Sequence, residues 1–360
     1  MKTRELDWTL AADRQAFIEL PWSLYPAGSW VPPLKASLAQ ELSPQNLFFR
    51  HGRAKIWLAE HEGKVMGRIV ASVDDQLAEP DVGHLGYFEC HDDAETATAL
   101  LNVAEAWLTA QGKQTVHGPV NLSIYNAYRL QTKGFETRPF LGEPRALPYY
   151  TGLLEQAGYS PHARWHSWDI PAPALLALQS YMEHKAPELP PGLRQRSLAD
   201  GDETSFLTDL HEIAMLTFAE NYGFASLDLE EFLQVYQGLL GIFQKHPSLL
   251  RLFYDQDRPV GFGFVYPDYA PFFQQVDGDQ TALKDFGAAQ TTGMVFHTFG
   301  IMPDWRQSAM PYAMFAQGIR EVARHEHSYA IGGLAKEGRT AYDQLGQASR
   351  GYAVYAKRLP

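Results

Sequence analysis

The sequence has 360 residues, of which 45% are hydrophobic and 20% are charged, and its formal net charge is −12 at pH 7. This length predicts two domains, and the composition is that of a globular chain that can bury large cores. The acidic balance argues against a nucleic-acid surface, and no apolar run reaches the roughly 18 residues of a membrane span. The N-terminus lacks the apolar segment of a secretory signal, and the single cysteine, Cys90, rules out a disulfide framework or a cysteine-clustered metal site. We therefore expect a cytoplasmic protein with no metal, nucleic-acid or membrane partner.

The first half is predicted to contain both helices and strands. A helix is predicted near residues 12–25, broken at Pro21. A β-hairpin follows over 55–73, turning at Glu62-Gly63. The remaining predicted elements are a strand at 84–90, a helix with apolar residues at 3.6-residue spacing at 94–111, a strand at 114–120, a short helix at 148–159 and a strand at 163–170.

The second half repeats this order after a connector at 172–192, which contains a short helical stretch and ends in Pro-Glu-Leu-Pro-Pro-Gly. Its hairpin is predicted to turn at Asp257-Arg258-Pro259. The other predicted elements are a strand at 193–198, a mostly helical region at 201–246, a strand at 294–302, a helix at 309–325, a strand at 328–333, a short helix at 339–346 and a final strand at 352–359.

The two halves also match locally in sequence. The stretch AEHEGKVMGRIV at 59–70 lines up with FYDQDRPVGFGF at 253–264, which places Gly67 against Gly261. A repeat of this length indicates two copies of one domain rather than a solenoid. We therefore predict an N-terminal domain at 1–171, a linker at 172–192 and a C-terminal domain at 193–360.

An antiparallel hairpin followed by strand–helix–strand–helix–strand resembles the GCN5-related N-acetyltransferase (GNAT) fold. Two motifs of the second half carry the resemblance: Ile301-Met302-Pro303-Asp304-Trp305-Arg306, similar to the family's fourth strand and pyrophosphate loop, and Ala341-Tyr342-Asp343-Gln344-Leu345-Gly346, similar to its last helix. The opening segment is similar to bacterial tandem acetyltransferase-like proteins. The resemblance implies an α/β fold of the α+β kind, with two tandem GNAT-like domains, each a mixed, mostly antiparallel sheet flanked by helices. It also implies acetyl-CoA or another acyl-CoA as cosubstrate and a small-molecule or peptide amine as acceptor.

The resemblance assigns the cofactor to the segment before and at the start of the 309–325 helix. Backbone N–H groups at a helix start bind a diphosphate together with the helix dipole. Here Ala309 stands where the family has one glycine, and Pro311, which donates no N–H, stands at the next. Arg306 and Ser308 offer a charge and a hydroxyl in compensation; the alternative is an ordinary capped helix with Ser308 as its N-cap. The implied cofactor-binding residues are Phe299, Gly300, Ile301, Arg306, Gln307, Ser308, Ala309 and Met310.

The matching segment of the first half is acidic. It places Asp92, Asp93 and Glu95 at a helix start, where they cap the helix and repel a diphosphate. We predict a degenerate cofactor site in this half, which then supports its partner or closes over the substrate.

The resemblance implies one candidate catalytic residue, Tyr342, and the strand before the loop offers a second, His297. Tyr342 is the candidate acid for the departing thiolate, and the alternative is an aromatic ring packed on the sheet. His297 is the candidate base, with Thr298 expected to face the other side of the strand, and the alternative is a hydrogen-bonded core histidine. Polar and aromatic residues in two loops are weaker candidates for substrate contacts: Asn121, Tyr125, Asn126, Tyr128, Arg129, Tyr222 and Phe224.

Three functions follow from these features. The first is an acyl-CoA-dependent N-acyltransferase that acts through the C-terminal half. The second is a non-catalytic protein that binds a ligand or a protein between its halves. The third is an aminoacyl-tRNA-dependent transferase, against which the acidic charge counts.

Overall fold

The computed structural model describes residues 1–185, 187–323, 328–338, 342 and 345–360. Its strands are β1 (Lys2–Glu5), β2 (Gly52–His61), β3 (Lys64–Asp74), β4 (Val82–Cys90), β5 (Thr115–Gly118), β6 (Leu130–Lys133), β7 (Ser160–Pro171), β8 (Leu193–Ser197), β9 (Leu250–Asp255), β10 (Arg258–Pro267), β11 (Gly293–Ile301), β12 (Tyr329–Lys336) and β13 (Arg350–Arg358). Its α-helices are α1 (Ala11–Leu24), α2 (Lys35–Glu41), α3 (Ala94–Ala110), α4 (Tyr150–Gln156), α5 (Ala172–Lys185), α6 (Glu203–Phe218), α7 (Leu229–Lys245), α8 (Ala270–Val276) and α9 (Met310–Ala323).

The described strands form one continuous sheet. Its order is β1-β2-β3-β4-β5-β13-β7-β12-β11-β10-β9-β8, with β6 paired to β13. The pairs β4–β5 and β11–β12 are parallel, and the other pairs of the sheet are antiparallel. This mixed, mostly antiparallel sheet with flanking helices confirms the predicted fold class.

The last strand of each half pairs with a strand of the other half. Strand β13, at the end of the chain, pairs with β5 of the first half, and β7, at the end of the first half, pairs with β12 of the second. The two strands also pair with each other along their length. The domain boundaries at 171 and 193 remain a prediction, and the hydrogen bonding between strands crosses them in both directions.

Each half places a long helix over its central strands. Gly67 lies under α3, where an added Cβ would meet Leu100 at 2.7 Å, and Gly261 lies under α9, where it would meet Met310 at 2.6 Å. The two glycines aligned by the internal repeat therefore occupy equivalent places, because each lets its strand approach a helix closely.

The predicted break of the first helix at Pro21 is wrong. Helix α1 continues through this proline to Leu24. Proline removes the N–H that would bond the carbonyl of Phe17, four residues earlier. The buried Arg68 takes its place, since its Nη1 donates to Phe17 O at 2.7 Å. A side chain from β3 thus satisfies the carbonyl that the proline leaves without a helical partner.

Three other expectations concern the second half. The β9–β10 hairpin turns at Gln256-Asp257, one residue before the predicted turn, and Gln256 takes the left-handed conformation with φ of 54°. The connector carries α5, whose Leu175 and Met182 are buried against the second half. The predicted helix at 339–346 lies mostly outside the described residues.

None of the helices in the described part of the chain is both long enough and apolar enough to cross a membrane.

Candidate functional site

A gap opens between the two parallel strands of the second half. Strands β11 and β12 pair from Gly293 with Tyr329 to Phe296 with Gly332, and beyond this point they part. On its other side β11 stays paired with β10, with a shift of register that skips His297. This bulge bends β11 away from β12.

Two backbone amides of β11 face the gap. The N–H of Met302 donates to Val260 O on β10. Along an antiparallel strand successive N–H groups point to opposite edges. The N–H of Gly300 therefore points to β10, and the N–H groups of Phe299 and Ile301 point to the other edge of β11. That edge borders the gap, because pairing with β12 ends at Phe296. Both amides are therefore placed to bind a ligand that enters between the strands.

Gly300 has a packing role in the strand. A Cβ at this position would lie 2.2 Å from the ring of Phe262 and 2.7 Å from the hydroxyl of Thr217 on α6. A larger residue would separate α6 from the sheet. The missing side chain of Gly300 therefore serves the packing of α6 on the sheet. The amides that face the gap belong to its two neighbours, Phe299 and Ile301.

The front of α9 is only partly open. Ser308 Oγ accepts the N–H of Met310 at 3.1 Å and donates to Trp305 O at 2.8 Å. Pro311 has no N–H to offer. Gln307 and Ala309 are exposed at this end, while the side chain of Met310 is buried. Fewer donors remain at the front of this helix than at an uncapped helix start.

Arg306 lies across the end of the gap. Its Nε donates to Ile301 O at 3.0 Å, and its Nη1 contacts Glu220 Oε2 at 3.1 Å. The two side chains of this ion pair are 43% and 75% exposed, so the pair contributes little stability and is easily opened. Arg306 thus holds a positive charge beside α9, and this charge is paired with the carboxylate of Glu220 in the link after α6.

Tyr342 lies at the point where the strands part. Its ring stacks on Trp168 at 5.3 Å and touches Phe315 edge-on at 5.9 Å. An added Cβ on Gly332 would lie 2.6 Å from that ring. Because Gly332 pairs with Phe296 at the end of the parallel ladder, the ring marks the closed end of the gap. Burial raises the pKa of the Tyr342 hydroxyl, so it stays protonated at neutral pH.

His297 lies at the bulge itself. Its Nδ1 is 2.7 Å from Thr298 Oγ1, and its ring stacks on Phe264 at 5.4 Å. The expectation that Thr298 faces the other side of the strand is wrong, because the bulge interrupts the alternation of side chains. Burial, with a smaller contribution from the charge of Arg129, lowers the pKa of His297 to about 4, so its imidazole is neutral at pH 7.

Arg129 reaches the same region from the first half. Its guanidinium lies between the rings of Tyr128, at 3.8 Å, and Trp165, at 4.5 Å, and it donates to the Tyr128 hydroxyl. Sequence reasoning found Arg129 in a candidate binding loop but had no signal for its proximity to His297, which depends on how the halves dock. Arg129 of the first half is therefore close enough to His297 for its charge to disfavour a protonated imidazole.

A cavity of about 450 Å³ opens beside the gap. Its walls are the β3–β4 link at 78–79, the α6–α7 link at 219–224, the end of β12 and the start of β7. The lining includes Glu220, the partner of Arg306. Tyr222 and Phe224, both noted in the sequence, line it. The hydroxyl of Tyr222 is 2.8 Å from His117 Nδ1, and burial lowers the pKa of His117 to about 4.

The corresponding gap of the first half is filled by its own chain. Beyond the last β4–β5 pair, His84 with His117, the amide of Val120 donates to Leu85 O at 2.6 Å. Asn121 Oδ1 accepts the N–H of Tyr87 at 2.7 Å. Asp93 accepts the N–H of Thr96 at 2.9 Å, as expected for a carboxylate that caps α3. The strand amide and the helix front that a cofactor would use both have partners within the protein.

Glu89, the carboxylate on β4, is held in a buried network. It accepts hydrogen bonds from Tyr150 at 2.6 Å and from Tyr25 at 3.3 Å, and burial raises its pKa. Among the described residues no cluster of three or more His, Cys, Asp or Glu side chains is arranged to hold a metal ion.

Solved structures of GNAT proteins, including a tandem one, share the fold of this chain. The chain superposes on a tandem GNAT protein from the clavulanic acid biosynthesis pathway with a TM-score of 0.55, at 10% identity over 100% of this chain and 98% of that one. A GCN5-related N-acetyltransferase from Sphaerobacter thermophilus gives a TM-score of 0.51, at 15% identity over 99% and 95% of the two chains. One from Anabaena variabilis gives 0.54, at 9% identity over 100% and 73%. At these identities the likeness concerns the fold.

Two curated relatives are similar in sequence. Protein YghO of Escherichia coli (strain K12) is 38% identical over 151 residues, which are 41% of this chain and 39% of that protein. A bacterial ceramide synthase of Caulobacter vibrioides is 30% identical over 243 residues, 63% of this chain and 61% of the relative. The chain thus matches less than two thirds of the length of either relative. No protein-family model matches the sequence.

Proposed function

We propose that the protein is an acyl-CoA-dependent N-acyltransferase and that acyl transfer takes place in the gap between β11 and β12. One observation carries this proposal: the strands part at a bulge, so that the amides of Phe299 and Ile301 face a gap beside the start of α9. The first half has the same strands, but its gap is filled by Val120 and Asn121. A single working site in the second half fits this difference.

The residues around the gap have matching roles in the proposed reaction. The amine nitrogen attacks the thioester carbonyl, a C–N bond forms, the C–S bond breaks, and the products are an amide and the free thiol. The amides of Phe299 and Ile301 bind the acyl carbonyl or the chain that carries it. Tyr342, protonated at neutral pH, donates a proton to the leaving thiolate. His297 accepts the proton of the amine, directly or through water, as a weak base because its pKa is low.

The acceptor is proposed to be a long-chain amine. The Caulobacter relative is named a ceramide synthase, and a ceramide is the amide of a fatty acid with a long-chain amino alcohol. The proposed acyl group is correspondingly a fatty acyl chain. Small amines and peptide amines are the other acceptors to test, because the resemblance to the GNAT family implies an acceptor of either kind.

A non-catalytic binding protein is the second candidate function. Ser308 and Pro311 leave few free donors at the front of α9, and Glu220 neutralises Arg306. If those contacts persist with ligand present, too few donors remain to bind a diphosphate. The cavity between the halves would then bind a ligand other than an acyl-CoA.

One set of measurements separates the two functions. Isothermal titration with acetyl-CoA and with long-chain acyl-CoA measures binding, and thiol release with a panel of long-chain, small and peptide amines measures transfer. The enzyme predicts saturable binding that Arg306→Gln weakens by roughly tenfold, because a charge-assisted contact to phosphate is lost. Arg258→Gln is the matched control, since Arg258 is exposed and pairs only loosely with Asp304 at 3.5 Å. Absence of binding to every thioester, with thiol release no faster than hydrolysis in buffer, contradicts the enzyme and favours the binding protein.

A further inference from the structure

A second cavity lies at the other end of the same parallel strands. It has a volume of about 730 Å³. Tyr329, which pairs with Gly293 at the start of the parallel ladder, forms one of its walls. The acyl-transfer gap begins where that ladder ends. This cavity is therefore separate from the proposed active site and is not used by the proposed reaction.

The chemistry of its walls is unusual for this chain. The protein has a formal net charge of −12, yet the described residues that line the cavity include Arg138 and Lys245 and no carboxylate. Hydroxyl groups of Thr291, Thr292 and Tyr329 are also present. A local excess of positive charge in an acidic protein attracts anions.

Both cations are held in place with hydrogen-bond donors to spare. The guanidinium of Arg138 lies flat on the ring of Tyr329 at 3.9 Å and pairs with no carboxylate in the described part of the chain. The ammonium of Lys245 donates to the carbonyls of Phe286 and Ala289 at 2.9 and 2.6 Å. Since an ammonium has three donors and a guanidinium five, one donor of Lys245 and the edge of Arg138 remain for a ligand.

A buried carboxylate holds Tyr329 in its place in the cavity wall. Asp268, 1% exposed, accepts the hydroxyl of Tyr329 at 2.8 Å and the amide of Leu141 at 2.9 Å. Tyr329 is thereby fixed as a platform for Arg138. Because Leu141 and Arg138 come from the first half and Lys245 from the second, both halves build the site.

Much of the remaining wall is apolar and includes Leu249, Pro267, Pro271 and Met294. The side chains of His246 and Gln290 also line the cavity. A cavity of this size with an apolar wall and a few fixed polar groups is typical of small-molecule sites. Together with the two cations, the wall selects for a molecule that has an apolar body and a negatively charged end.

We infer that this cavity is a binding site for a small organic anion, with Arg138 and Lys245 binding its carboxylate or phosphate and the apolar wall binding its body. The site is independent of acyl transfer.

The test uses simple probes and charge-matched variants. Titration calorimetry measures benzoate, phenyl phosphate and the neutral isostere benzamide against the full-length protein at constant ionic strength. The site predicts saturable binding of benzoate, of phenyl phosphate or of both, at least tenfold tighter than benzamide, because two charge-assisted contacts are lost in the amide. The comparison of the two anions identifies the preferred headgroup.

Arg138→Gln should weaken anion binding by roughly tenfold and leave benzamide unchanged. It should leave the fold intact, because Arg138 donates no side-chain hydrogen bond to the described protein. Lys245→Gln is the second variant, and the exposed Arg358→Gln is the control for a change of net charge. The inference is overturned if neither anion binds saturably, if benzamide binds as tightly as the anions, or if Arg138→Gln binds them like the unaltered protein.

Discussion

At the scale of single residues, Tyr342 has two roles that one substitution separates. Its ring packs against Trp168 and Phe315, while its hydroxyl is the proposed acid. Tyr342→Phe keeps the ring, so we expect an almost unchanged melting temperature and a kcat lowered by roughly 10²-fold. Steady-state kinetics with the best amine checks this, and a variant with full kcat would reduce Tyr342 to a packing residue.

His51 links the two halves in a way that depends on pH. Its Nδ1 is 2.8 Å from Asp74, and its Nε2 is 3.0 Å from Glu231 on α7. Burial alone would lower the pKa of His51, but the hydrogen bonds and charges of Glu231 and Asp74 outweigh burial and raise the pKa. A raised pKa in the folded state stabilises the protein fully below the unfolded value of about 6.5. That stabilisation disappears as the pH rises through the folded value.

We therefore expect His51→Gln to cost more stability at pH 6 than at pH 8. Urea unfolding at both values measures the difference, with the exposed His61→Gln as control. Equal losses at the two pH values, or a larger loss at pH 8, would contradict the role of a protonated His51.

At the scale of elements, the ion pair at the start of α9 should weaken the binding of an acyl-CoA. Glu220, in the link after α6, pairs with Arg306, so a diphosphate has to compete with this carboxylate. Glu220→Gln should tighten acyl-CoA binding by a few-fold while hardly changing stability, because the pair is exposed. Calorimetry against the unaltered protein is the measurement. Weaker binding in the variant would mean that Glu220 helps to form the site.

Local sequence patterns predicted most elements, because the forces that form them are local. The 3.6-residue period of apolar side chains predicted 94–111, and α3 runs from Ala94 to Ala110. The hairpin turn at Glu62-Gly63 lies between β2 and β3 as predicted. Pro21 was misread because the carbonyl it leaves unbonded is satisfied by Arg68, 51 residues away in sequence. No pattern within one helix contains that information.

The candidate site was predicted only in part for the same reason. The motif around Arg306 located the end of β11 and the start of α9. The bulge at His297, the approach of Arg129 and the pairing of Arg306 with Glu220 depend on contacts between distant segments. The pairing of β7 with the second half and of β13 with the first was not predicted either. The side-chain pattern of a strand does not identify the strand it pairs with.

At the scale of the whole molecule, the exchanged strands make the two halves one folding unit. Strand β13 lies between β5 and β7, and the largest core cluster combines Phe140, Trp168 and Ile170 of the first half with residues of the second. We expect calorimetry to record a single cooperative unfolding transition. Two transitions, each of about half the total enthalpy, would show that the halves unfold separately.

The same argument predicts the effect of damaging β13. Val354 is fully buried and pairs with Ala163 of β7. Proline is poorly tolerated inside a sheet, so Val354→Pro should destabilise the protein by about 3 kcal/mol or more. Far-UV and near-UV circular dichroism, followed through urea unfolding, should then report the loss in both halves together. A first half that stays folded would contradict the coupling.

The central claim concerns where an acyl-CoA binds. The most direct measurement is the structure of the protein in complex with an acyl-CoA. We predict the thioester between β11 and β12, hydrogen-bonded to the amides of Phe299 and Ile301, with the diphosphate at the start of α9 and Arg306 released from Glu220. A coenzyme found between β4 and β5, or a β11–β12 gap that stays empty at saturating coenzyme, would contradict the account.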